Sequence, residues 1–136
     1  MLKIQKLLST ALVASVLNSC EYFDSRLEVV NKSQGEISAS AYLDTVPPLP
    51  SKNHTDYFLR FSAKPNDTLN LIKPGKNAWS LIIKESINNK LNLVVYSVDS
   101  LRKYGSVDSL IKKRIFKTYT FSEDELNRLN WRVNVE

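Results

Sequence analysis

The stretch LNLVVY, residues 91–96, decides the fold class, because it is the most apolar strand-forming segment of the chain. Its β-branched and aromatic side chains favour an extended backbone, and a nearly continuous apolar run is typical of a strand that is covered on both faces. We therefore predict that this segment forms a central strand of a sheet, with the rest of the folded chain built around it.

Upstream of this strand, two segments predict a β-hairpin. Residues 27–30 are short and β-branched, and apolar and polar side chains alternate over 37–43, which is the period of a half-buried strand. Residues 31–35 between them contain Asn, Ser and Gly, which is the composition of a turn. Two strands joined by such a short connection are predicted to pair with each other.

The prolines that follow predict a break in the sheet. Residues 46–50 read VPPLP, and proline lacks the main-chain donor that a strand ladder requires. We therefore predict an exposed loop over 44–55. Two further strands are predicted over 57–61 and 68–72, joined by a turn over 64–67.

The spacing of apolar side chains changes after residue 77 and predicts a helix. They recur at i, i+3, i+4 and i+8, which places them on one helical face, at Trp79, Ile82, Ile83 and Ile87. Asn77 is a suitable N-cap for this helix. A strand is the alternative interpretation, because isoleucine is β-branched and favours extended structure.

The next segment predicts two short helical pieces. Residues 99–104 form a single helical turn that stops at Gly105, because glycine readily adopts the left-handed conformation that ends a helix. Ser106 is then the expected N-cap of a second helix over 107–113, whose apolar residues share one face.

The end of the chain predicts a strand, a helix and a final strand. Residues 115–121 form the first strand, and SEDE at 122–125 is a capping box for a helix that reaches Leu129. Alternate apolar residues then indicate a strand over 131–135. Together these elements predict an α+β fold: a small, mainly antiparallel, sandwich-like sheet with two or three short helices in the C-terminal two-thirds of the chain.

The N-terminus has the three parts of an export signal. Lys3 and Lys6 give a basic start, an apolar core covers residues 7–17, and small or polar residues follow it. The core is too short to cross a bilayer, which requires about 20 residues. A helix of the folded core is the alternative interpretation. We predict that residues 1–19 are a signal peptide.

The residues that end this signal, Leu17-Asn18-Ser19-Cys20, resemble the lipobox of bacterial lipoproteins. The resemblance implies that the Cys20 thiol is alkylated by diacylglycerol and that the chain is cut before Cys20. The new amino group is then acylated, so the protein is held on a membrane through its N-terminal lipid. Residues 20–25 are the predicted lipidated tether, and residues 26–136 are the predicted single α+β domain.

Two further resemblances concern location. Glu21 and Asp24 resemble the acidic surface-export signals of Bacteroidota lipoproteins. The C-terminal segment is similar to the end of a group of small uncharacterised Bacteroidota lipoproteins, with the pattern Y-x-L-S-x-x-D-L-x-x-L-N-W-x-I-x-Y. The chain matches this pattern at Tyr119, Ser122, Leu126, Leu129, Asn130 and Trp131. These resemblances imply a place in the cell envelope, at the outer membrane on its periplasmic or surface face, and they imply no activity.

The basic character of the chain comes partly from its signal. The formal net charge is +5, and removal of Lys3 and Lys6 leaves 17 basic against 14 acidic residues, which is +3. An exported, lipid-bound chain has little reason to meet nucleic acid, so we expect no nucleic-acid partner. An envelope protein or glycan is the expected partner class.

Catalytic residue types are scarce. His54 is the only histidine, with Thr55 and Asp56 beside it, and a lone histidine in a loop is ordinarily just solvated. The one cysteine, Cys20, is used by the lipid, so no thiol is left for a disulfide, a metal or nucleophilic catalysis. The acidic residues 123–125 fit the first turn of a helix. We expect no enzyme, no metal and no cofactor.

Aromatic and basic residues suggest binding instead. Trp79, Tyr96 and Trp131 form a sugar-stacking platform if they are exposed, although their periodicity fits a core, and Tyr57 is a further aromatic candidate. The densest basic region lies within 102–117, where a solvated face is the default and an anion-binding patch is the alternative.

Four Asp-Ser or Asp-Thr pairs are followed by an aliphatic residue and resemble the O-glycosylation sequon of Bacteroidota. The hydroxyl residues in these pairs are Thr45, Thr68, Ser100 and Ser109. Such pairs also start turns and helices for local reasons. The sequence therefore predicts a lipid-anchored, non-enzymatic binding or scaffolding module, with a glycan-binding accessory module as the alternative.

Overall fold

In a computed structural model of the chain, residues 22–136 are described, and the predicted signal peptide with Cys20 lies outside this range. The strands are β1 (Phe23–Asn31), β2 (Ile37–Tyr42), β3 (Thr68–Pro74), β4 (Leu91–Ser97), β5 (Lys117–Phe121) and β6 (Arg132–Val135). The helices are α1 (Thr55–Arg60), α2 (Ala78–Glu85), α3 (Val98–Tyr104), α4 (Val107–Lys112) and α5 (Glu123–Arg128). None of these described helices is long and apolar enough to cross a membrane.

The strands form two sheets of three strands each. Sheet I has the order β3-β1-β6, with β1 antiparallel to β3 and parallel to β6. Sheet II has the order β2-β4-β5 and is antiparallel throughout. The predicted α+β class with a small, mainly antiparallel sheet is confirmed, and the described residues contain five helices rather than two or three.

The described chain is organised in layers around two apolar clusters. The first cluster lies between the sheets and contains side chains from all six strands together with Trp79 and Ile83 of α2. The second lies on the other face of sheet II, where helices α1, α3 and α4 cover it; its buried members are Phe58, Val94, Tyr96, Leu101, Val107, Leu110 and Ile111. Among residues 22–136, sheet II is therefore covered on both faces, whereas no helix layer covers the outer face of sheet I.

The strand predicted from LNLVVY is the central strand of sheet II, as expected. Every residue from Leu91 to Tyr96 is buried. Leu93 points into the core between the sheets and Val94 into the helix layer. Burial on both faces explains why this strand is apolar at nearly every position.

The predicted hairpin between the first two strands is wrong, because β1 and β2 belong to different sheets. The segment between them crosses from sheet I to sheet II, and the buried side chain of Asn31 holds it there. Asn31 Nδ2 donates to the carbonyl oxygens of Gly35 (2.8 Å) and Ala63 (3.0 Å), and Oδ1 accepts from Ser33 N–H at 2.9 Å. The hydrogen bonds of this buried amide are thus satisfied by the crossing segment and by Ala63, which follows helix α1.

The strand predicted over 57–61 is also wrong, because these residues belong to helix α1 and its C-cap. The helical conformation lets one side chain of the segment reach the core while two others stay outside. Phe58 is fully buried and contacts the Tyr96 ring edge-on, with 5.0 Å between ring centroids. Tyr57 and Phe61 are one helical turn apart and pack on each other at the surface.

Helix α2 confirms the helix predicted from the apolar spacing at 79–87 and its N-cap position at Asn77, but the Asn77 side chain does not cap it. Asn77 occupies the N-cap position in a left-handed conformation (φ 54°) and makes no capping bond with its side chain. The Asp24 carboxylate of β1 instead accepts the Trp79 N–H at 3.0 Å. Ile87 lies beyond the end of the helix and is exposed.

The caps predicted in the C-terminal third are confirmed. Gly105 ends α3 with φ 83°, and the Ser106 hydroxyl accepts the Ser109 N–H at the start of α4. Ser122 and Glu125 form the reciprocal capping box of α5. These caps depend on residues only three or four positions apart, which is why the sequence reveals them.

The loop around the prolines has no regular structure between β2 and α1, in agreement with the prediction, but it is attached to the rest of the fold. The Ser51 N–H donates to the Asp108 carboxylate at 2.9 Å, and the Thr118 hydroxyl donates to the Thr45 carbonyl at 2.8 Å. Pro47 is buried. The loop therefore packs against sheet II and its helix layer.

Strand β1 begins at Phe23, inside the segment 20–25 that was predicted to be a tether. Asp24 is buried and paired with Arg26, whose Nη2 lies 2.8 Å from the Asp24 Oδ2. The Asp24 carboxylate is therefore buried and paired within the folded domain, and it is not exposed on a flexible linker. Of the predicted tether, residues 23–25 are part of sheet I.

Candidate binding surfaces

The aromatic platform predicted from Trp79, Tyr96 and Trp131 is not present at the surface. All three side chains are buried, with relative exposures of 1%, 0% and 5%. Trp131 Nε1 donates to the Asn127 side chain at 2.9 Å, and the Arg26 guanidinium lies 4.0 Å from the Trp131 ring centroid. The periodicity that placed these residues on core faces is correct, and they cannot stack on a sugar.

The buried Tyr96 and the half-buried Tyr42 form a polar contact on the helix-covered face of sheet II. The hydroxyl oxygens of Tyr42 and Tyr96 are 3.2 Å apart. Burial raises the pKa of both phenols, and for Tyr96 the hydrogen bond with Tyr42 raises the pKa further. Both hydroxyls therefore stay protonated at any physiological pH, which fits a structural contact between strands β2 and β4.

Tyr57 and Phe61 are exposed aromatic side chains whose rings pack on each other, and we call them the aromatic pair. Their ring centroids are 5.0 Å apart, and the side chains are 37% and 58% exposed. They stand at the mouth of a slot of about 70 Å³ between β2 and β3. A cavity needs roughly 10–15 Å³ of such volume to hold one water, so the slot has room for bound water. A larger ligand has to lie across the aromatic pair rather than enter the slot.

The slot follows the outer edge of β2. At one end of this edge, Ile37 exchanges two main-chain hydrogen bonds with Ala63, and at the other the Leu43 carbonyl accepts from Ile87 N–H. Because main-chain groups alternate in direction along an antiparallel strand, those of Ala39 and Ala41 point to the same side as those of Ile37. Within residues 22–136 no main-chain partner meets them. The slot therefore contains donors and acceptors for bound water.

A larger opening, which we call the end cleft, lies where the Ser33–Glu36 segment meets the start of β5. Its volume is about 530 Å³, which is within the size range of ligand sites. Ile37 and Val95 give it an apolar floor. The remaining lining residues are Ser33, Gly35, Glu36, Ser97, Arg114, Ile115, Phe116, Lys117 and Glu136.

Charged groups surround the end cleft. Glu36 accepts from the Ser62 hydroxyl and lies 4.0 Å from Arg102. Lys117 Nζ donates to a main-chain oxygen of Glu136 at 2.8 Å. Arg114 is exposed in a left-handed conformation, with φ 55°, and no carboxylate of the described residues lies within ion-pair distance of it. The rim of the end cleft therefore carries the Arg114 guanidinium, which has no ion-pair partner among the described residues, and the Lys117 ammonium, which makes one hydrogen bond.

The end cleft borders the surface on which the positive charge of the protein is concentrated, which we call the basic face. Residues 98–117 contain six basic and two acidic residues, a balance of +4, whereas the whole chain after Cys20 has +3. The six basic side chains are all exposed: Arg102, Lys103, Lys112, Lys113, Arg114 and Lys117. The ammonium groups of two of these lysines lie over the Tyr104 ring. The rest of the chain after Cys20 therefore sums to −1 (+3 minus +4), so this segment carries the net positive charge of the domain.

The residues considered for catalysis are not brought together. His54 is exposed at the N-terminus of α1, and its side chain makes no capping bond. Glu123 accepts from the Ser80 hydroxyl, and Glu125 closes the capping box. Within the described residues, no group of three His, Cys, Asp or Glu side chains is placed to hold a metal ion.

The four hydroxyls of the possible glycosylation sites occupy different settings. Thr68 is exposed at the start of β3, and Thr45 is half-buried in the proline loop, where its hydroxyl lies 3.2 Å from the Asp44 carboxylate. Ser100 and Ser109 are half-buried in α3 and α4, where their N–H groups bond to the capping hydroxyls of Ser97 and Ser106. Cys20, the predicted lipidation site, lies outside the described residues.

The fold and these surfaces define a class: an α+β protein in which two small sheets face each other and three helices cover one of them. Comparisons of the chain with protein-family models, with curated proteins and with solved structures found no match in any of the three.

Proposed function

We propose that this protein is a lipid-anchored protein of the cell envelope, held at the outer membrane, whose folded part is a non-enzymatic binding module. The observation that carries the anchor is the lipobox-like segment Leu17-Asn18-Ser19-Cys20 at the end of an export signal. The position of the first strand supports it, because β1 begins at Phe23 and the fold follows Cys20 almost directly.

The end cleft is the surface best suited to binding. It lies beyond Asn31, at the opposite end of β1 from Phe23, and a strand of nine residues is about 27 Å long. A domain held near Phe23 thus presents this cleft away from the anchor. The cleft combines an apolar floor with an unpaired Arg114, and the basic face extends it, so an acidic segment of an envelope protein is the ligand that its chemistry favours.

Anchoring is tested by replacement of the lipid-bearing residue. Cys20→Ala should release the protein from the membrane fraction and abolish incorporation of labelled fatty acid, because no other cysteine can take its place. Ser19→Ala is the matched control, since it retains a small residue before the cysteine and should leave anchoring intact. A Cys20→Ala protein that still sediments with membranes without detergent would contradict the proposal.

Binding at the end cleft is tested by charge reversal. Arg114→Glu combined with Lys117→Glu should abolish cross-linking between the anchored protein and its envelope partner, measured with a photoreactive residue at position 115. The double variant Lys84→Glu and Lys90→Glu is the matched control, because both lysines are exposed and lie outside the basic face. Equal loss in both variants would show that net charge matters and that the cleft does not.

The alternative is a glycan-binding accessory module, and the exposed aromatic pair favours it. Aromatic faces stack on the apolar faces of sugar rings, and Tyr57 and Phe61 present two such faces side by side. If this alternative holds, Tyr57→Ala with Phe61→Ala should abolish retention on envelope polysaccharide, whereas Tyr104→Ala should not. Retention that is insensitive to the aromatic pair and lost on charge reversal at the end cleft would decide for the first candidate.

O-glycosylation at Thr45, Thr68, Ser100 or Ser109 is a separate proposal, supported by the sequon resemblance. Thr68 is exposed and Thr45 lies in an irregular loop, so these two are the more accessible sites in the folded protein. Mass spectrometry of the native lipoprotein should show a glycan mass that disappears in the variant in which the modified hydroxyl residue is replaced by alanine. A native mass that consists only of peptide and lipid would overturn the proposal.

A further inference from the structure

The outer face of sheet I is apolar at one end and polar at the other. Phe23 stands opposite Pro74 in the antiparallel pair of β1 and β3, and Ile72 lies two residues before Pro74 on the same face. Phe23 is 58% exposed and Ile72 is 53% exposed. Tyr22, directly before the strand, is 68% exposed. Phe23, Ile72 and Pro74 on this face, together with the adjoining residue Tyr22, form what we call the N-terminal apolar patch.

The same face becomes polar toward the other end of the strands. Asn70 and Thr68, two and four residues before Ile72 in β3, are on the same face and are exposed. Glu28 forms an ion pair with Arg132 of β6, with 2.6 Å between Oε2 and Nη1. Asn134 of β6 is exposed at the level of Thr68. The exposed apolar side chains of this face are therefore confined to the end from which the chain leaves toward Cys20.

The N-terminal apolar patch lies only a few residues from Cys20. Its distance from the membrane follows if Cys20 carries the lipid, as the proposed function states. A chain segment spans at most about 3.6 Å per residue, so the Cα atom of Tyr22 lies within about 7 Å of that of Cys20 and the Cα atom of Phe23 within about 11 Å. A bilayer with a hydrocarbon core of about 30 Å has headgroup layers of about 5–8 Å on each side. A lipidated Cys20 therefore holds Tyr22 and Phe23 in or at the edge of a headgroup layer.

The patch cannot turn away from the membrane independently of the fold, because its backbone is fixed to the sheet. The Gly75 N–H donates to the Tyr22 carbonyl at 2.6 Å, and Phe23 pairs with Pro74. The next residue, Asp24, is bonded to the start of α2. Lys76, two residues after Pro74 in the chain, is exposed, and its ammonium group is suited to anionic headgroups.

We propose that Tyr22, Phe23, Ile72 and Pro74 form a membrane-contact face that sits in the headgroup layer of the bilayer into which the Cys20 lipid inserts. Aromatic rings with one polar and one apolar side are favoured at this depth, and the polar end of sheet I then points away from the lipid. The anchored domain thus has one defined orientation, with the end cleft directed away from the membrane.

A depth measurement on the intact lipoprotein tests this orientation. Because Cys20 carries the lipid, a cysteine introduced by Ile72→Cys is the sole free thiol, and Asn134→Cys gives a matched probe position on the polar end of the same face. Thr68, at the level of Asn134, is four residues from Ile72, or about 13 Å along the strand. Each matured variant is labelled with an environment-sensitive fluorophore and reconstituted into vesicles of phosphatidylethanolamine and phosphatidylglycerol that contain a headgroup-level nitroxide quencher.

At position 72 the emission of the fluorophore should shift to the blue and be quenched by the nitroxide. At position 134 the emission should be neither shifted nor quenched. Equal, solvent-like fluorescence at both positions in vesicle-bound protein would overturn the membrane-contact face and leave the anchor in place. If the wild-type protein binds the vesicles no better than Cys20→Ala does, both the lipid anchor and the membrane-contact face are overturned. Thermal unfolding of both variants, compared with wild type, checks that each probe reports on folded protein.

Discussion

Asp24 connects the start of β1 to the start of α2 through a single buried carboxylate. It accepts hydrogen bonds from Arg26 Nε at 2.9 Å, from Arg26 Nη2 at 2.8 Å and from Trp79 N–H at 3.0 Å. The hydrogen bonds from Arg26 are the main reason that the pKa of Asp24 lies below its usual value. A charged acceptor at a helix N-terminus is also favoured by the helix dipole.

Asp24→Asn is expected to destabilise the protein by about 2 kcal/mol at neutral pH, because the amide cannot replace a carboxylate that binds a guanidinium and a helix end. A lowered native pKa stabilises the folded state above the unfolded pKa of about 3.9 and loses that effect as the pH falls through the native value. The difference in Tm between wild type and Asp24→Asn should therefore shrink below about pH 4.

Asp124→Asn is the matched control for this prediction, because Asp124 is an exposed aspartate in the first turn of α5. It should change stability by less than about 0.5 kcal/mol. A difference in Tm for Asp24→Asn that stays constant from neutral pH down to strongly acid pH would show that packing, and not the charge of the carboxylate, accounts for the effect.

At the scale of single elements, the short helices of this protein depend on their caps. Helix α5 has six residues, too few to be stable alone, and it buries only Leu126. The Ser122 hydroxyl accepts the Glu125 N–H at 3.2 Å, and the Glu125 carboxylate accepts the Ser122 N–H at 3.1 Å. The capping box therefore supplies a large share of the local stability of this helix.

Ser122→Ala should cost about 1 kcal/mol of unfolding free energy, since the first turn of α5 loses its acceptor. Ser100→Ala is a suitable comparison, because Ser100 lies inside α3 and alanine is the better helix former, so stability should be unchanged or slightly higher. Urea unfolding followed by circular dichroism measures both variants. Equal destabilisation would mean that the capping hydroxyl of Ser122 has no special role.

The caps of α4 and α5 and the stop at Gly105 were predictable, whereas the cap of α2 was not. A capping box is formed by residues that are adjacent in sequence, so its pattern is visible without a fold. Asp24 precedes Trp79 by 55 residues, and nothing in the sequence near either one signals the contact. Asn77 has the residue type of an N-cap and takes the left-handed backbone instead, which asparagine tolerates.

At the scale of the whole molecule, the helix layer makes sheet II a buried sheet, and Phe58 is its main attachment point in α1. Phe58 contacts Tyr96 on β4, while Phe61, three residues away, remains outside. Phe58→Ala should cost about 3–5 kcal/mol, the usual range for removal of a buried aromatic ring. Phe61→Ala should stay within about 0.5 kcal/mol of wild type.

Chemical denaturation of the two phenylalanine variants gives the comparison directly. A similar, small loss for both would indicate that α1 does not contribute to the core of the folded protein. The pair also separates stability from ligand binding, because the glycan alternative requires Phe61 and not Phe58.

The candidate surfaces were only partly predictable. The density of basic residues over 102–117 is visible in the sequence, and these side chains are exposed as the default interpretation required. The end cleft was not predictable, because its walls come from segments far apart in the chain, such as Glu36 and Lys117. The N-terminal apolar patch depends in the same way on the pairing of Phe23 with Pro74.

The sequence by itself determined the features that depend on neighbours within a few residues: the central strand at 91–96, the helix after Asn77, the caps at Ser106 and Ser122, and the lipobox-like motif before Glu21. Only the tertiary structure decided which strands pair, that 57–61 is helical, and that Asp24 is part of the core. The physical reason is that propensity and capping act locally, whereas strand pairing and burial are set by the combined free energy of contacts between distant segments, which no local pattern records.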